Sequence, residues 1–447
     1  VETGAMRSYQ KINVLMVFAV SIFLFMSDRC YAQYEYIDID TPYLRQIPLA
    51  IPLFVSLAET IVEQEILETT TEILEQTLDF TSYFDIMDRG AFLVDPLSPA
   101  ITENDINFNN WVSIGAELLI TGGVSQNGDI ITMELRLFDT FKAKRLVGKR
   151  FEGALADRRK MILRFCSEVI YALTGNRGIF NSRIAFVSTT SGNKEIYFCD
   201  FDGSKPVQYT YNRHISLNPA WSWDGKWIAY TSYVNDKTGI YIINLETNKK
   251  NSIEQKGLNI TPAWFPGQFL LAATLSFSGD QEIYLLTGKG KIIKRITYKW
   301  GSDFSPTWSP EGKKMAFVST RAGTPQIYIK DMISRRVERI TFQGKNNTQP
   351  SWSPRGDKIA YTSIEAGRSD IFVIGLNGQD PIRLTQDSGD NEAPSWSPDG
   401  SLIAFSSTRD GPARIYVMTA YGTDQRRLLT LPGKQTNPKW SPNFIKN

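Results

Sequence analysis

Residues 394–407 read "PSWSPDGSLIAFSS", and residues 350–363 read "PSWSPRGDKIAYTS". In the later copy Pro398 presets φ for the first central position of a turn, Asp399 suits the second, and Gly400 accepts positive φ. That chemistry reverses the chain within a few residues. A tight hairpin is predicted, with Trp396 on one arm and Ile403 to Phe405 on the other. The apolar arms lack a clean alternation of polar and apolar residues, as in strands whose two faces are both covered.

The motif recurs along the C-terminal part of the chain. Trp221, Trp264, Trp308, Trp352, Trp396 and Trp440 are spaced 43, 44, 44, 44 and 44 residues apart. Pro219, Pro262, Pro306, Pro350, Pro394 and Pro438 stand two places before them. After the turn comes an apolar strand ("IAY" at 228–230, "MAF" at 315–317), then a second one ("IY" at 240–241, 283–284, 327–328 and 415–416; "IF" at 371–372). A repeat of this length holding four short strands is a propeller blade. Each Trp would fill the wedge between neighbouring blades, contributing about 2–3 kcal/mol when fully buried.

The ends of the repeat supply the count. "RIAF" at 183–186 and "EIY" at 195–197 belong to a copy whose Trp should stand at 177, where the residue is Arg177. Trp440 opens another copy that lacks a body. Joined, these fragments close a ring of six blades with no free sheet edge between them. The unit "WFPGQFLLAA", 264–273, reads as one residue short in its turn, so its hairpin is expected to be the least regular.

Residues before about 175 carry no such repeat and read as a small α/β domain. "IPLAIPLF", 47–54, suits a buried strand interrupted by Pro. Ser56 with Glu59 matches a capping box, and Val62, Ile66, Ile73 and Leu74 then follow near-helical spacing. Two strands are expected within 118–139, around a turn at Asn127-Gly128. A helix from Asp157 places Ile162, Phe165, Val169 and Leu173 on one face and ends at Gly175. "TGNRGIFNS", 174–182, would join it to the propeller. The fold class is thus an α/β domain, 33–175, followed by an all-β six-bladed propeller, 176–447.

Other features bound the function. After Met6 comes the apolar run "INVLMVFAVSIFLFM", 12–26, too short to span a bilayer comfortably and suited to a signal-peptide core cleaved after Ala32. Removing residues 1–32 also removes Cys30 and leaves Cys166 and Cys199, read as separate buried thiols. Net charge is +2, from 49 basic and 47 acidic residues, so nothing points to a nucleic acid. His214 is the one histidine, which leaves little for acid–base or metal chemistry. Propeller peptidases would require a G-x-S-x-G elbow and a triad histidine, and the sequence contains no such elbow. A glycan-binding rim would have only Trp300 and Phe304 as platforms.

The signal peptide, the α/β domain and the "P-x-W-S-P-x-G…I-A-[FY]" repeats together resemble the TolB family of the Tol–Pal system, over residues 33–447. The resemblance implies a periplasmic, non-catalytic adaptor with no cofactor or metal, monomeric and held at the outer membrane through the lipoprotein Pal. It implies a role in outer-membrane integrity and in constriction at division. Pal would meet the loops before the Trp residues: Leu258, Asn259 and Thr261; Ser302, Asp303 and Ser305; Asn346, Asn347 and Gln349; Asp390, Asn391 and Glu392. TolA would meet the mature N-terminus: Tyr34, Glu35, Tyr36, Ile37, Asp38, Ile39, Asp40 and Thr41. That segment keeps the family's acidic–apolar alternation without matching it residue by residue. Read alone, it suits either an edge strand of the α/β domain or a strand lent to a partner's sheet.

Overall fold

The computed structural model describes residues 45–57, 62–93, 100–234 and 237–444. The expected signal peptide, its cleavage point after Ala32, the 34–41 segment and Glu59 lie outside them.

The apolar runs of the N-terminal third build one mixed sheet. Its strands are β1 (Ile47–Ala50), β2 (Val55–Ser56), β3 (Phe84–Ile86), β4 (Leu118–Asn127), β5 (Ile130–Asp139) and β6 (Lys144–Ala154). Their order is β3-β1-β4-β5-β6, with β2 against β4. β1 runs parallel to β3 and β4, and β4, β5 and β6 form an antiparallel meander. The expected turn at Asn127-Gly128 joins β4 to β5, with Gly128 at φ +58°.

Helices α1 (Gln64–Asp79), α2 (Phe108–Ser113) and α3 (Arg158–Thr174) complete this part. α3 buries Ile162, Phe165 and Val169 and ends where expected, at Gly175, whose φ is +73°. α1 begins later than the capping box implied. Ser56 pairs with Val124 in β2, so its backbone belongs to the sheet and cannot open a helix.

The repeat folds into six four-stranded antiparallel sheets. One blade runs Asn391–Trp396, Leu402–Ser407, Arg414–Thr419 and Arg426–Arg427. The first strand of each blade ends on its Trp: Ser216–Trp221, Asn259–Trp264, Asp303–Trp308, Asn346–Trp352, Asn391–Trp396 and Gln435–Trp440. These six inner strands neighbour one another in a closed ring. Gln435–Trp440 pairs with β7 (Arg183–Ser188), which continues into β8 (Glu195–Asp200) and β9 (Val207–Gln208). The chain's last described strand therefore completes its first blade.

Each Trp is only 7–9% exposed and packs between two blades. Trp264, for example, lies with Ile240 and Ile242 of the preceding blade and Leu271 of its own. Four indole N–H groups donate across the interface to the carbonyl just before the preceding Trp, as Trp264 does to Ala220 at 3.1 Å. Apolar area fixes each blade against the next, and at four of the six interfaces an oriented hydrogen bond adds to it.

The hairpin at 264–273 corrects one expectation. Its turn has its full length, because Phe265 N–H bonds Leu270 as Ser397 bonds Leu402, both at 2.8 Å. The turn glycine has moved instead, to Gly267 at φ +72°, one place before the position of Gly400.

Trp440 also belongs to a core that continues into the N-terminal part through Phe165, Cys166, Phe180, Cys199 and Phe201. Both cysteines are unpaired there, and burial pushes both thiols up. Polar contacts reinforce the seam. Arg159 pairs with Asp202 at 2.8 Å, Ser82 donates to Asp424 at 2.5 Å, and Arg426 reaches the Phe80 carbonyl.

Candidate functional site

Because the inner strands all run the same way, the propeller has two unlike faces. The turn face carries the hairpins after each Trp and the loops between third and fourth strands. The N-terminal part borders this face through Arg159 on Asp202, Ser82 on Asp424, and the partly buried Tyr83, whose phenol is pushed up by burial and then by the Asp399 carboxylate. The opposite face gathers the starts of the inner strands and the connections that lead into them.

The twelve expected partner-facing residues lie at this strand-start face, though most belong to strands and not to loops. Leu258, Ser302 and Asp390 precede their inner strands, and the others are inside them. Their exposure divides them. Asp390 and Glu392 are exposed, and Leu258, Thr261, Ser302, Ser305, Asn346 and Gln349 are half-buried. Asn259, Asp303, Asn347 and Asn391 are each 0% exposed, so they are not surface contacts.

The physical reason is a latch repeated from blade to blade. Asn347 donates to Gln326 of the preceding blade at 2.8 Å, and Asn391 donates to Asp370 at 3.1 Å. Those acceptors are in turn bonded by threonines of their own outer connections, Thr341 at 2.8 Å and Thr385 at 2.7 Å. Thr297 and Thr210 bond Glu282 and Glu195 in the same way. Burial raises the Glu282 carboxyl above the usual range, against the hydrogen bonds from Thr297 and Arg295. Asp303 has a different partner, Arg321, at 2.7 Å. Polar groups buried this deeply must be paired; the Asn347 and Asn391 bonds hold neighbouring blades in register, and the Asp303–Arg321 pair ties strands within one blade.

Two features of this face escaped the sequence reading. The residue before each Pro has a left-handed backbone: Asn218, Thr261, Ser305, Gln349, Ala393 and Asn437, at φ +50° to +56°. A left-handed, non-glycine residue before proline is costly, about 1–3 kcal/mol each, and all six fall within the bulges of the inner strands. Thr261, Ser305 and Gln349 were singled out without this reason. The invariant Pro was the signal for the other three.

The second feature is aromatic. Tyr211, Tyr298, Trp300 and Phe342 are 70%, 68%, 83% and 67% exposed, all on connections leading into inner strands. Only Trp300 stood out in the sequence, although Tyr211, Tyr298 and Phe342 share one offset, each ten places before a repeat Trp. His214, three residues after Tyr211, is also exposed. Among the described residues, no group of three or more His, Cys, Asp or Glu is placed to hold a metal ion. No described helix is long and apolar enough to cross a membrane.

A family model described as the TolB beta propeller domain matches residues 170–443, and one described as the TolB amino-terminal domain matches residues 35–146. A Desulfosudis oleivorans protein named Tol-Pal system protein TolB is 54% identical over 271 residues, 61% of this chain and 62% of that protein. A Protein TolB homolog from Chlorobaculum tepidum is 43% identical over 225 residues, 50% of each chain. The chain thus spans less than two thirds of the length of these relatives. The crystal structure of TolB from Acinetobacter baumannii superposes with a TM-score of 0.77 at 27% identity, covering 89% of this chain and 97% of that one.

Proposed function

Because the chain belongs to the TolB family of Tol–Pal system components, we propose that it is a non-enzymatic periplasmic adaptor that grips Pal with the strand-start face and TolA with residues 34–41. In this role it keeps the outer membrane attached and drawn in at division. The observation that carries the reading is the exposed aromatic group Tyr211, Tyr298, Trp300 and Phe342. Large aromatics stranded in water, on the same face as half-buried polar residues such as Thr261 and Gln349, are what a protein partner's hot spots require. Each also sits on a connection held by the latches below it, so little freedom is lost on binding.

Trp300→Ala is expected to weaken Pal binding by about 2 kcal/mol, roughly 30-fold, with little change in thermal midpoint. Calorimetry with purified Pal reads this directly. An unchanged affinity would move the Pal site off this face. Deletion of residues 33–41 is expected to abolish TolA capture and leave the midpoint nearly unchanged. A large fall in midpoint would instead make that segment part of the fold.

A further inference from the structure

The turn-face mouth of the propeller encloses a cavity of about 510 Å³, lined by residues that flank each Trp. At the position before Trp, five blades place a small side chain there, Ala220, Ala263, Thr307, Ser351 and Ser395, and the sixth places Lys439. Two positions after Trp, five blades place a Pro and one places Trp223. The two departures fall in adjacent blades, Lys439 on one inner strand and Trp223 in the hairpin after the next, and those strands are joined by the bond from the Trp221 indole N–H to the Lys439 carbonyl at 3.0 Å. The repeat breaks its own rule twice in one place.

Neither departure helps the fold. The Lys439 ammonium has no hydrogen-bond or ion-pair partner among the described residues, and burial alone pulls it down to about 8. Trp223 leaves its indole 53% exposed, where a Pro would present little apolar surface. An unpaired ammonium, half-buried in the lining of this cavity, is half of an ion pair, and the sister repeats show the small residues the fold accepts instead. Residues that cost stability at one spot in an otherwise regular ring point to a ligand.

We propose that this mouth binds a monocarboxylate carrying a flat apolar group, with the Lys439 ammonium against the carboxylate and the Trp223 indole against the flat group. A lone lysine is a point charge that matches a single negative charge, where a phosphate dianion would stay half neutralised. The indole face offers stacking to a ring or planar group. The volume lies within the roughly 300–1,000 Å³ usual for small-molecule sites. The site is on the face opposite the proposed Pal contact, so it stands or falls apart from that reading.

The test uses the full mature chain and two variants that restore the repeat, Lys439→Ser and Trp223→Pro. Calorimetry is run with benzoate, with a short peptide ending in a free phenylalanine carboxylate, and with the same peptide as its C-terminal amide. Saturable binding of benzoate or the free-acid peptide is expected, weakened at least tenfold by Lys439→Ser and several-fold by Trp223→Pro, with the amide silent. Benzoate alone binding assigns the site to free acids, and the peptide alone assigns it to a chain terminus. Lys439→Ser should also raise the thermal midpoint, which shows that lost binding is not lost folding. No binding of either acid at millimolar concentration, or equal affinity in Lys439→Ser, would overturn the proposal.

Discussion

Removing residues 435–447 leaves a chain that is expected to populate no stable native state at temperatures where the full chain is folded. The deleted strand is the inner strand of the closing blade, and it pairs with β7 through Gln435, Thr436, Lys439 and Trp440. Its loss empties the wedge filled by Trp440, which alone costs about 3–5 kcal/mol by analogy with large-to-small core changes. It also removes the acceptor of the Trp221 indole and the donor to Ser182 at 2.7 Å. The edge of β7 is then bare, and the core shared with the N-terminal part through Phe165 and Phe201 loses one wall. These losses together reach the total stability of an ordinary domain, about 5–15 kcal/mol. Far-UV dichroism against temperature is the measurement. A truncated chain melting cooperatively within a few degrees of the full one would refute closure by this strand. Trp440→Ala should fall between the two.

How much of this could be read from the letters depends on what each residue was repeated for. Pro and Trp recur because the wedge and the bulge before it demand them, so blade number and closure were legible from spacing. The polar positions misled, because Asn259, Asp303, Asn347 and Asn391 look like surface residues by type. Their offset was the missed clue. Each stands five places before a Trp, as do Ser216 and Gln435, and all six are 0% exposed. A polar residue held at one offset from a buried ring in every copy belongs to the scaffold. The neighbouring positions Leu258, Ser302, Asn346 and Asp390 differ from copy to copy, as residues facing water or a partner are free to do. The Trp223 and Lys439 departures follow the same logic in reverse, visible only once the repeat is known well enough to see where it fails.

Asp303 and Glu392, both assigned to Pal by the sequence, should therefore separate cleanly on substitution. Asp303→Ala removes the carboxylate that faces Arg321, whose guanidinium lies 5.4 Å and 4.9 Å from the Phe317 and Tyr328 ring centres and has little access to water. Leaving one half of a buried pair costs about 3–5 kcal/mol. The urea midpoint should drop accordingly, and Pal affinity per folded molecule should hardly change. Asp303→Asn is the control, because Asn391 accepts from Arg409 at 3.2 Å in the equivalent place, so that variant should stay within about 1 kcal/mol of the parent. Glu392→Lys is the mirror case. Its carboxylate is exposed and accepts one bond from Ser369 at 3.1 Å, so stability should fall by about 1 kcal/mol at most while Pal binding weakens about tenfold. If Asp303→Ala instead kept its full urea midpoint and lost Pal, the residue would be a contact and its pair with Arg321 would not support the blade.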